Sequence, residues 1–308
     1  MGANLPFFSI IIPTYKRPRQ LTACLQALAR LDYPRDRFEA IVVDDGSDTP
    51  LETVFAPFRN HFELKLLRQS NFGPATARNT GAAHAKGKFL AFTDDDCEPA
   101  ADWLQTLARR FATTPGCAIG GRTLNALADN LYSMASQILI DYLYNYYNSD
   151  PHQARFFASN NMALPAAQFH EIGGFDTTFP RAAGEDRELC DRWLYHGYRM
   201  VYAPEVRVYH SHTLTFRTYW KQHFNYGCAA SFFRQARASR GQGGPRVEPL
   251  GFYLNLLRYP LWQARDRQAL LLAVLLVLSQ GANAAGYFAE HSKSNGSVSA
   301  LIKSLRLK

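Results

Sequence analysis

The stretch that decides the fold is "AFTDDDCEP", residues 91–99, in which an apolar run ends in three consecutive carboxylates. Like charges this close repel one another, and leaving them bare at the end of a buried strand is costly. If the strand continues, Asp94 and Asp96 face one side and Asp95 the other, whereas in a turning chain all three converge. A cation would neutralise the cluster, and a solvated acidic turn or a helix N-cap is the alternative explanation.

Alternating strands and helices are predicted around this stretch. Short apolar, β-branched runs predict strands, and longer segments with Leu or Ala at helical spacing predict helices. The predicted strands are 7–15, 38–48, 62–69, 88–96, 117–121, 199–204 and 206–210, and the predicted helices are 19–31, 50–58, 73–87 and 101–113. This order is typical of an α/β fold with a Rossmann-like, doubly wound and mainly parallel sheet, in which ligands bind at the carboxyl ends of the strands.

The composition excludes several classes of protein. Hydrophobic residues make up 47% of the 308 residues, which is enough for a large core and excludes global disorder. The five cysteines include no CxxC pair, which argues against a zinc ribbon or a disulfide framework and suits a reducing compartment. No basic stretch precedes the first apolar run, so we interpret that run as a strand and not as a signal peptide.

The last third of the chain is basic. Residues 214–308 hold 13 Lys and Arg against 3 Asp and Glu, whereas residues 1–213 hold 21 against 23. The same segment contains 21 uncharged residues, 269–289, a length sufficient to span a bilayer. Only the first ten are strongly apolar, which favours a core helix or an interfacial helix over a spanning one, and the basic charge around them favours contact with an anionic membrane surface. No nucleic-acid-binding motif accompanies the charge, so we expect no nucleic acid partner.

Several polar residues near the predicted strand ends have both a ligand-binding and a structural interpretation. Tyr15 is either a stacking platform for a base or a strand-end aromatic, and Arg78 is either a phosphate ligand or a surface ion pair. The acids of "VDDGSD" (43–48) suit a turn and helix cap as well as a ligand site. His210 and His212 lie on one side of a predicted extended segment, where imidazoles bind a metal or a phosphate or serve packing.

Seven short motifs, taken in order, resemble those of family 2 glycosyltransferases, which have the GT-A fold. No single motif is specific, and their shared order over residues 7–230 carries the resemblance. The motifs are "IIPTYKR", "VVDDGSD", "NFGPATARNTG", "FLAFTDDDCEP", "GGFD", "AAGEDRELCDR" and "VYHSH". The resemblance implies a glycosyltransferase domain over 1–230, with a nucleotide-sugar half at about 1–122 and an acceptor half at about 123–230. We interpret 231–308 as a basic, apolar helical extension associated with a membrane, with a polar, Gly-rich linker at 238–249.

The resemblance also implies a donor site and a metal site. The donor is a nucleoside-diphosphate sugar, and the cofactor is a divalent metal, Mn²⁺ or Mg²⁺. Asp96 is the expected metal ligand, and Asp94 is expected at the ribose and as a second candidate for the metal site. His210 or His212 is expected to complete the metal or diphosphate site. The residues expected to bind the donor are Pro13, Tyr15, Asp44, Asp45, Arg78, Asp94 and Asp95.

The catalytic base is expected in "GED", residues 184–186. Transfer to a hydroxyl needs a general base within hydrogen-bond reach of that hydroxyl, and enzymes that resemble this chain use a carboxylate of this motif. We favour Asp186, with Glu185 orienting the acceptor or acting as the alternative base. The structural alternative is that both acids only stabilise the N-terminus of the helix that follows.

These inferences predict an inverting, metal-dependent glycosyltransferase. The QxxRW motif of processive synthases is absent, so transfer of one or a few sugars is expected. The segment "HSHTLTFRTYWKQHFNYG" (210–227) loosely resembles rhamnosyltransferase-like enzymes that build lipid-linked glycans. We therefore expect a hydroxyl acceptor in lipid-linked or cell-envelope glycan synthesis, at the cytoplasmic face of the inner membrane. The alternatives are a nucleotidyltransferase acting on sugar phosphates and a non-catalytic sugar-nucleotide-binding protein.

Overall fold

The computed structural model describes residues 5–179, 183–243, 248–263 and 267–305, with residues 263 and 294–305 described by their backbone alone. Within these ranges the chain forms eight strands and ten α-helices. The strands are β1 (Phe8–Thr14), β2 (Phe38–Asp44), β3 (Glu63–Arg68), β4 (Phe89–Phe92), β5 (Cys97–Pro99), β6 (Ala118–Asn125), β7 (Met162–Pro165) and β8 (Met200–His210). The helices are α1 (Pro18–Ala29), α2 (Glu52–Phe55), α3 (Pro74–Ala83), α4 (Trp103–Thr113), α5 (Leu131–Tyr147), α6 (Ala166–Glu171), α7 (Glu185–Tyr195), α8 (Phe216–Ser239), α9 (Leu250–Gln263) and α10 (Arg267–Leu305).

The eight described strands form one mixed sheet in the order β3-β2-β1-β4-β7-β6-β8-β5. The pairs β1–β2, β1–β4, β2–β3 and β6–β8 are parallel. The pairs β4–β7, β6–β7 and β5–β8 are antiparallel. The predicted α/β fold with a mainly parallel sheet is therefore confirmed, and the carboxyl ends of β1, β2 and β4 lie at one edge.

Helices cover both faces of the sheet around β1. Phe8, Ile10 and Ile12 are fully buried and belong to a core cluster with residues of α1 and α4, as the period-2 alternation of a strand requires. Ile11 faces the other side, toward α3. There Gly81 allows the helix to approach the sheet, because an added Cβ would lie only 2.6 Å from Ile11 Cγ2.

Four features of the sheet differ from the prediction. The strand predicted over 88–96 ends at Phe92, because the chain turns at the acidic residues. The two strands predicted after residue 198 are one strand, β8, and the pairing with β6 shifts register between Gly121 and Arg122. β5 and β7 are not predicted by the sequence, since they have only three and four residues. Strands this short carry too few residues to display a period.

The chain divides into two compact units. The first comprises Met1–Leu127, Leu143–Pro180 and Glu185–His212 and contains the whole sheet. The second comprises Ala128–Tyr142, Arg181–Gly184 and Thr213–Lys308, and its longest elements are α8, α9 and α10. The boundary predicted at residue 230 lies inside α8, and residues 244–247 of the linker predicted at 238–249 lie outside the described residues.

Candidate active site

The three carboxylates that follow β4 point in two directions. Asp94 is partly exposed, and its Oδ1 accepts a hydrogen bond from Arg78 Nη2 at 2.7 Å. Asp95 and Asp96 are buried and share a different cation, Arg17, whose Nη1 lies 3.2 Å from Asp95 Oδ1 and 2.9 Å from Asp96 Oδ2. The expectation that Asp94 and Asp96 share one side depended on the strand continuing past Phe92, which it does not. Two separate carboxylate sites therefore follow β4.

Arg17 is a site residue that the sequence analysis missed. It lies just after β1, in the quoted motif "IIPTYKR", and β1 pairs directly with β4. Thr14, at the end of β1, adds a hydrogen bond of 2.7 Å from its Oγ1 to Asp95 Oδ2. The sequence does contain a basis for predicting Arg17, because a basic residue at the end of one strand faces the acids at the end of the neighbouring strand. Burial raises the pKa of Asp95 to about 6, against the opposing effect of Arg17.

Asp96 lies beside both predicted histidines. The short β5 pairs with the end of β8, with Cys97 opposite His210, and this pairing brings the two segments together. His210 Nε2 is 3.2 Å from Asp96 Oδ1, and His212 Nδ1 is 3.4 Å from Asp96 Oδ2. The two imidazole rings stack at 5.1 Å. One ligand atom from each of the three residues lies within 4.8 Å of the others.

This triad has the chemistry of a cation site. Although burial alone would raise the pKa of Asp96, hydrogen bonds from the two imidazoles lower it well below its usual range. Burial likewise opposes the charged form of His210, but the hydrogen bond to Asp96 outweighs it and raises the pKa of that imidazole. A carboxylate with two imidazoles is a donor set that binds divalent transition metals. Asp94 lies outside this group, because its carboxylate is held by Arg78.

The acids at the end of β2 organise the loops beside the site. Ser47 donates its backbone N–H to Asp44 Oδ1 at 3.0 Å, and Arg68 Nε lies 3.3 Å from Asp44 Oδ2. Asp45 accepts hydrogen bonds from Gln69 and from the backbone of the loop that leads into α3. The last of these is Gly73 N at 2.8 Å, where the φ of 89° suits glycine. Both carboxylates are thus occupied in shaping the loops of the predicted donor site.

Two further residues of the predicted donor site lie at the end of β1. Pro13 is opposite Val43 of β2 in the sheet register and is partly exposed. Tyr15 is 42% exposed, and the Lys16 ammonium lies 5.2 Å from the centre of its ring. The exposed ring face leaves a flat aromatic surface next to the carboxyl edge of the sheet.

Arg78 joins the acidic turn after β4 to the start of α7. Its Nη2 contacts Asp94, and its Nη1 lies 3.0 Å from Glu185 Oε1. Arg78 and Glu185 are both buried, and Phe175 lies under the guanidinium at 5.5 Å. Neither Arg78 Nε nor Glu185 Oε2 has a hydrogen-bond partner among the described residues. Buried polar atoms without partners are rare in proteins, so these two atoms retain hydrogen-bonding capacity for water or a ligand.

Asp186 is partly exposed as a residue, but its carboxyl group is packed among protein atoms. Its Oδ1 accepts the backbone N–H of Arg187 at 2.7 Å. Burial of the carboxyl, together with the negative charge of Glu185, raises the pKa of Asp186 to about 7. A carboxyl with a pKa near neutrality can accept a proton at physiological pH. Glu185, in contrast, is buried against Arg78.

The loop before α7 is locked to α3 by Asn79, which the sequence analysis did not single out. Asn79 Nδ2 donates to the carbonyl of Phe175 and its Oδ1 accepts the N–H of the same residue, both at 2.8 Å. This double hydrogen bond fixes the "GGFD" motif onto the helix that carries Arg78. The contact explains why the motifs "ARN" and "GGFD" occur together in one site.

Comparison with known proteins places this arrangement in a family. Residues 9–175, more than half of the chain, match the family model described as glycosyl transferase family 2. The chain belongs to this family. Residues 143–214 also match a model described as the N-terminal domain of galactosyltransferase. The resemblance predicted from the seven motifs is thereby confirmed.

Several known glycosyltransferases are similar over part of the chain. The validoxylamine A glucosyltransferase of Streptomyces hygroscopicus subsp. jinggangensis is 29% identical over 232 residues, which are 66% of this chain and 55% of the relative. The glycosyltransferase AglE of Haloferax volcanii is 33% identical over 123 residues, 39% of this chain and 40% of the relative. The chain spans about half the length of the curated relatives it matches.

Solved structures share the GT-A fold with this chain. The mannosyltransferase PcManGT from Pyrobaculum calidifontis, solved with GDP-Man and Mn²⁺, superposes with a TM-score of 0.60 at 23% identity. That comparison covers 99% of this chain and 83% of the mannosyltransferase. TarS residues 1–349 from S. aureus, solved with UDP-GlcNAc, superpose with a TM-score of 0.53 at 18% identity, covering 94% and 92%. At these identities the likeness concerns the fold.

Proposed function

We propose that this family 2 chain transfers a sugar from a nucleoside-diphosphate sugar to an acceptor hydroxyl with inversion at the anomeric carbon. The observation that supports the proposal is that Arg78 makes two ion pairs. One buried guanidinium holds Asp94, in the acidic turn beside the cation triad, and Glu185, next to the candidate base. A donor phosphate site and an acceptor site must be adjacent for such a transfer, and Arg78 ties the two motifs together.

We assign the donor to the carboxyl edge of β1, β2 and β4. Tyr15 offers a stacking surface for the base, Pro13 borders it, and the loops held by Asp44 and Asp45 surround the nucleoside. Arg78, expected from the sequence to bind phosphate, has both terminal nitrogens engaged by carboxylates. It therefore serves mainly to position Asp94 at the ribose.

Asp186 is the proposed catalytic base. With its pKa raised toward neutrality, the carboxylate can take the proton of the acceptor hydroxyl as that oxygen attacks the anomeric carbon. The hydroxyl attacks in line, opposite the departing nucleoside diphosphate. Glu185 is the weaker candidate, because its Oε1 is held by Arg78 inside the protein. As the neighbour of Asp186, it is proposed to orient the acceptor instead.

Asp96, His210 and His212 are the proposed ligands of a divalent cation. The chemistry of the donor set fits, because one carboxylate and two imidazoles converge within 4.8 Å. Two nitrogen donors favour Mn²⁺ over Mg²⁺, which takes mainly oxygen ligands. When bound, the cation would act as a Lewis acid that offsets the charge of the leaving diphosphate. The mannosyltransferase from P. calidifontis, solved with GDP-Man and Mn²⁺, supports this choice.

The acceptor side is proposed to be a lipid-linked or cell-envelope glycan at the cytoplasmic face of the inner membrane. The support is the basic balance of residues 214–308 and the apolar helix α10. Transfer of one or a few sugars, and not processive polymerisation, follows from the missing QxxRW motif. Nucleotidyl transfer is disfavoured, because that reaction has no need of the base and histidine motifs that follow residue 183.

The proposed function is tested by a thermal-shift screen of nucleotide-sugars. UDP-, GDP- and dTDP-sugars are each added with Mn²⁺, with Mg²⁺ and with a chelator. We expect at least one donor to raise the melting temperature with Mn²⁺ and to have no effect with the chelator. Release of nucleoside diphosphate in the presence of acceptor extract then identifies a transferase. Pyrophosphate release from a nucleoside triphosphate and a sugar phosphate, or no stabilisation by any donor, would contradict the proposal.

A further inference from the structure

Helix α10 is apolar on both its buried and its exposed side. From residue 269 to residue 289 it carries no charge. The buried side holds Leu272 and Leu276, which contact protein. The opposite side is open to solvent, although soluble proteins normally carry polar residues there. Its large side chains, between 50% and 64% exposed, are Leu270, Leu271, Val274, Val277 and Phe288.

These exposed residues form one continuous stripe. At 100° per residue, Leu270, Val274 and Val277 fall on the same face, and Phe288 lies five turns after Leu270. The positions between them, Gly281 and residues 284 and 285, are also exposed and are small and apolar. A contiguous apolar stripe of this kind marks a surface that something else covers.

Helix α9 adds a second face of the same character. Leu250 is 73% exposed and Trp262 is 65% exposed, and Leu254 and Leu261 lie between them on the same side. Phe252 and Leu256 are buried on the other side of the helix. A large exposed Trp at the end of an apolar face is typical of a side chain that lies at a membrane–water interface. We call the two exposed faces together the α9–α10 surface.

The charges on this surface match an anionic partner. Arg258 lies within the exposed face of α9, and Arg267 begins the exposed face of α10. Among the described residues of the two faces none is acidic. Arg side chains cover apolar surface with their stems while the guanidinium reaches the headgroup layer. A bilayer with anionic lipids offers both the hydrocarbon and the negative charge that this combination requires.

The packing of α10 opposes a membrane-spanning role. The stretch Arg267–Lys293 is long and apolar enough to cross a bilayer, with a mean hydropathy of 1.8, yet 44% of that apolar window is buried within the protein. Gly286 meets α8 so closely that an added Cβ would lie 2.0 Å from the carbonyl oxygen of Phe224. Tyr219 on α8 donates its hydroxyl to the carbonyl of Leu275 at 2.9 Å. Lipid could surround α10 only if these contacts were broken.

We propose that the α9–α10 surface docks in the plane of an anionic bilayer, with its Leu, Val, Phe and Trp side chains at the boundary between headgroups and acyl chains. Arg258 and Arg267 then bind lipid phosphates. The proposal concerns attachment to the membrane and holds whether or not the transferase chemistry is as proposed above. A second copy of this chain and a spanning helix are the competing explanations of the same apolar face.

The test is flotation of the full chain with vesicles of phosphatidylcholine, with and without phosphatidylglycerol. The wild type should float with the anionic vesicles and remain behind with the zwitterionic ones. The triple variant Leu270→Gln, Val274→Gln, Val277→Gln should bind at least tenfold more weakly. Tyr195→Gln, an exposed aromatic of α7, is the matched control and should float like the wild type. Because all replaced side chains are exposed, far-ultraviolet circular dichroism should be unchanged.

Depth measurements separate docking from spanning. The five native cysteines are all buried, so cysteines introduced at positions 270 and 288 can be labelled selectively with a nitroxide. These positions are about 27 Å apart along the helix. In-plane docking predicts the same shallow depth at both, whereas a spanning helix places them at very different depths. Unequal depths, no flotation of the wild type, unchanged flotation of the triple variant, or a dimer that the triple variant dissociates without any vesicle binding would each overturn the proposal.

Discussion

At the residue scale, the ion pair between Arg78 and Glu185 is the most consequential contact. Both side chains are buried, with 4% and 7% of their side-chain surface exposed. Removing one partner of a buried pair leaves an uncompensated charge, which costs more than removing both. The pair is therefore a sensitive test of the arrangement at the start of α7.

We predict that Arg78→Leu lowers the free energy of unfolding by about 3–5 kcal/mol. The double variant Arg78→Leu, Glu185→Leu should recover much of that loss, because the buried carboxylate of Glu185 is gone and Asp94, the other partner of Arg78, is partly exposed to water. Urea unfolding of the wild type, both single variants and the double variant measures the coupling. If the two substitutions change the free energy of unfolding additively, the two side chains do not form the ion pair.

Arg17 gives a second prediction at the residue scale, because it sets the charge around the cation triad. Its guanidinium lies 2.9 Å from Asp96 Oδ2 and so opposes a cation there. We predict that Arg17→Gln binds Mn²⁺ about tenfold more tightly than the wild type in the absence of donor. Arg19→Gln, exposed on α1, should leave the affinity unchanged. Calorimetric titration with Mn²⁺ measures this affinity. Weaker binding by Arg17→Gln would show that the Arg17 guanidinium does not oppose a cation at Asp96.

Individual residues also show why the site was only partly predictable. The acids and histidines could be named as candidates from the sequence, because their side chains are common metal ligands, and the structure brings Asp96, His210 and His212 together. Arg17 and Asn79 were not, because their roles depend on which strand and which loop lie opposite them. The separation of Asp94 from Asp96 likewise depends on the chain turning at residue 93, which no periodicity reveals.

At the element scale, the crossing of α8 and α10 depends on glycine. An added Cβ at Gly286 would lie 2.0 Å from the carbonyl oxygen of Phe224, whereas one at Gly281 would meet nothing within 4 Å. We predict that Gly286→Ala destabilises the protein by about 3 kcal/mol through overpacking. Gly281→Ala, the control on the same helix, should stabilise it by up to about 1 kcal/mol through helix propensity. Equal thermal shifts for the two variants would show that the helices do not cross this closely.

His223 of α8 makes the folding stability of the protein depend on pH. The side chain is fully buried between Tyr219 and Tyr226, and neither ring nitrogen has a partner among the described residues. Burial therefore lowers the pKa of this imidazole to about 4. Because the unfolded chain takes up this proton near pH 6.5 and the folded chain does not, stability is lost as the pH falls from 6.5 toward 4.

We predict a loss of about 3 kcal/mol of unfolding free energy from this group across that pH range. His223→Leu should remove the loss and add about 1 kcal/mol at pH 7, because two unsatisfied polar atoms disappear from the interior. His152→Leu, an exposed histidine, is the control. Urea midpoints at pH 5 and pH 7.5 measure the difference, and an unchanged pH dependence in His223→Leu would contradict the assignment.

The elements that the sequence predicted are those with a clear period. β1, β2, β3, α1 and α4 were placed within a few residues of their ends. β5 and β7 were missed, yet β5 pairs Cys97 with His210 and so brings the histidines to Asp96. The element that completes the cation triad is thus one of the shortest in the fold, with three residues. Its position follows from the long-range pairing with β8, not from its own sequence.

At the scale of the whole molecule, the chain belongs to glycosyl transferase family 2 and folds around a mainly parallel sheet. Two predictions made from the sequence, family 2 membership and the mainly parallel α/β sheet, are confirmed by the family match and the strand order. The identities of the acceptor and of the donor sugar depend on contacts between individual side chains and small molecules. Neither can be derived from the order of motifs.

The central claim is that Asp186 takes the proton of the acceptor. The most direct measurement compares donor affinity and transfer rate in Asp186→Asn, using the nucleotide-sugar that the thermal-shift screen identifies. The variant should bind the donor with Mn²⁺ as the wild type does and transfer sugar about 10²–10⁴-fold more slowly. Asp191→Asn, on the same helix, should transfer at the wild-type rate. Near wild-type transfer by Asp186→Asn would contradict the account.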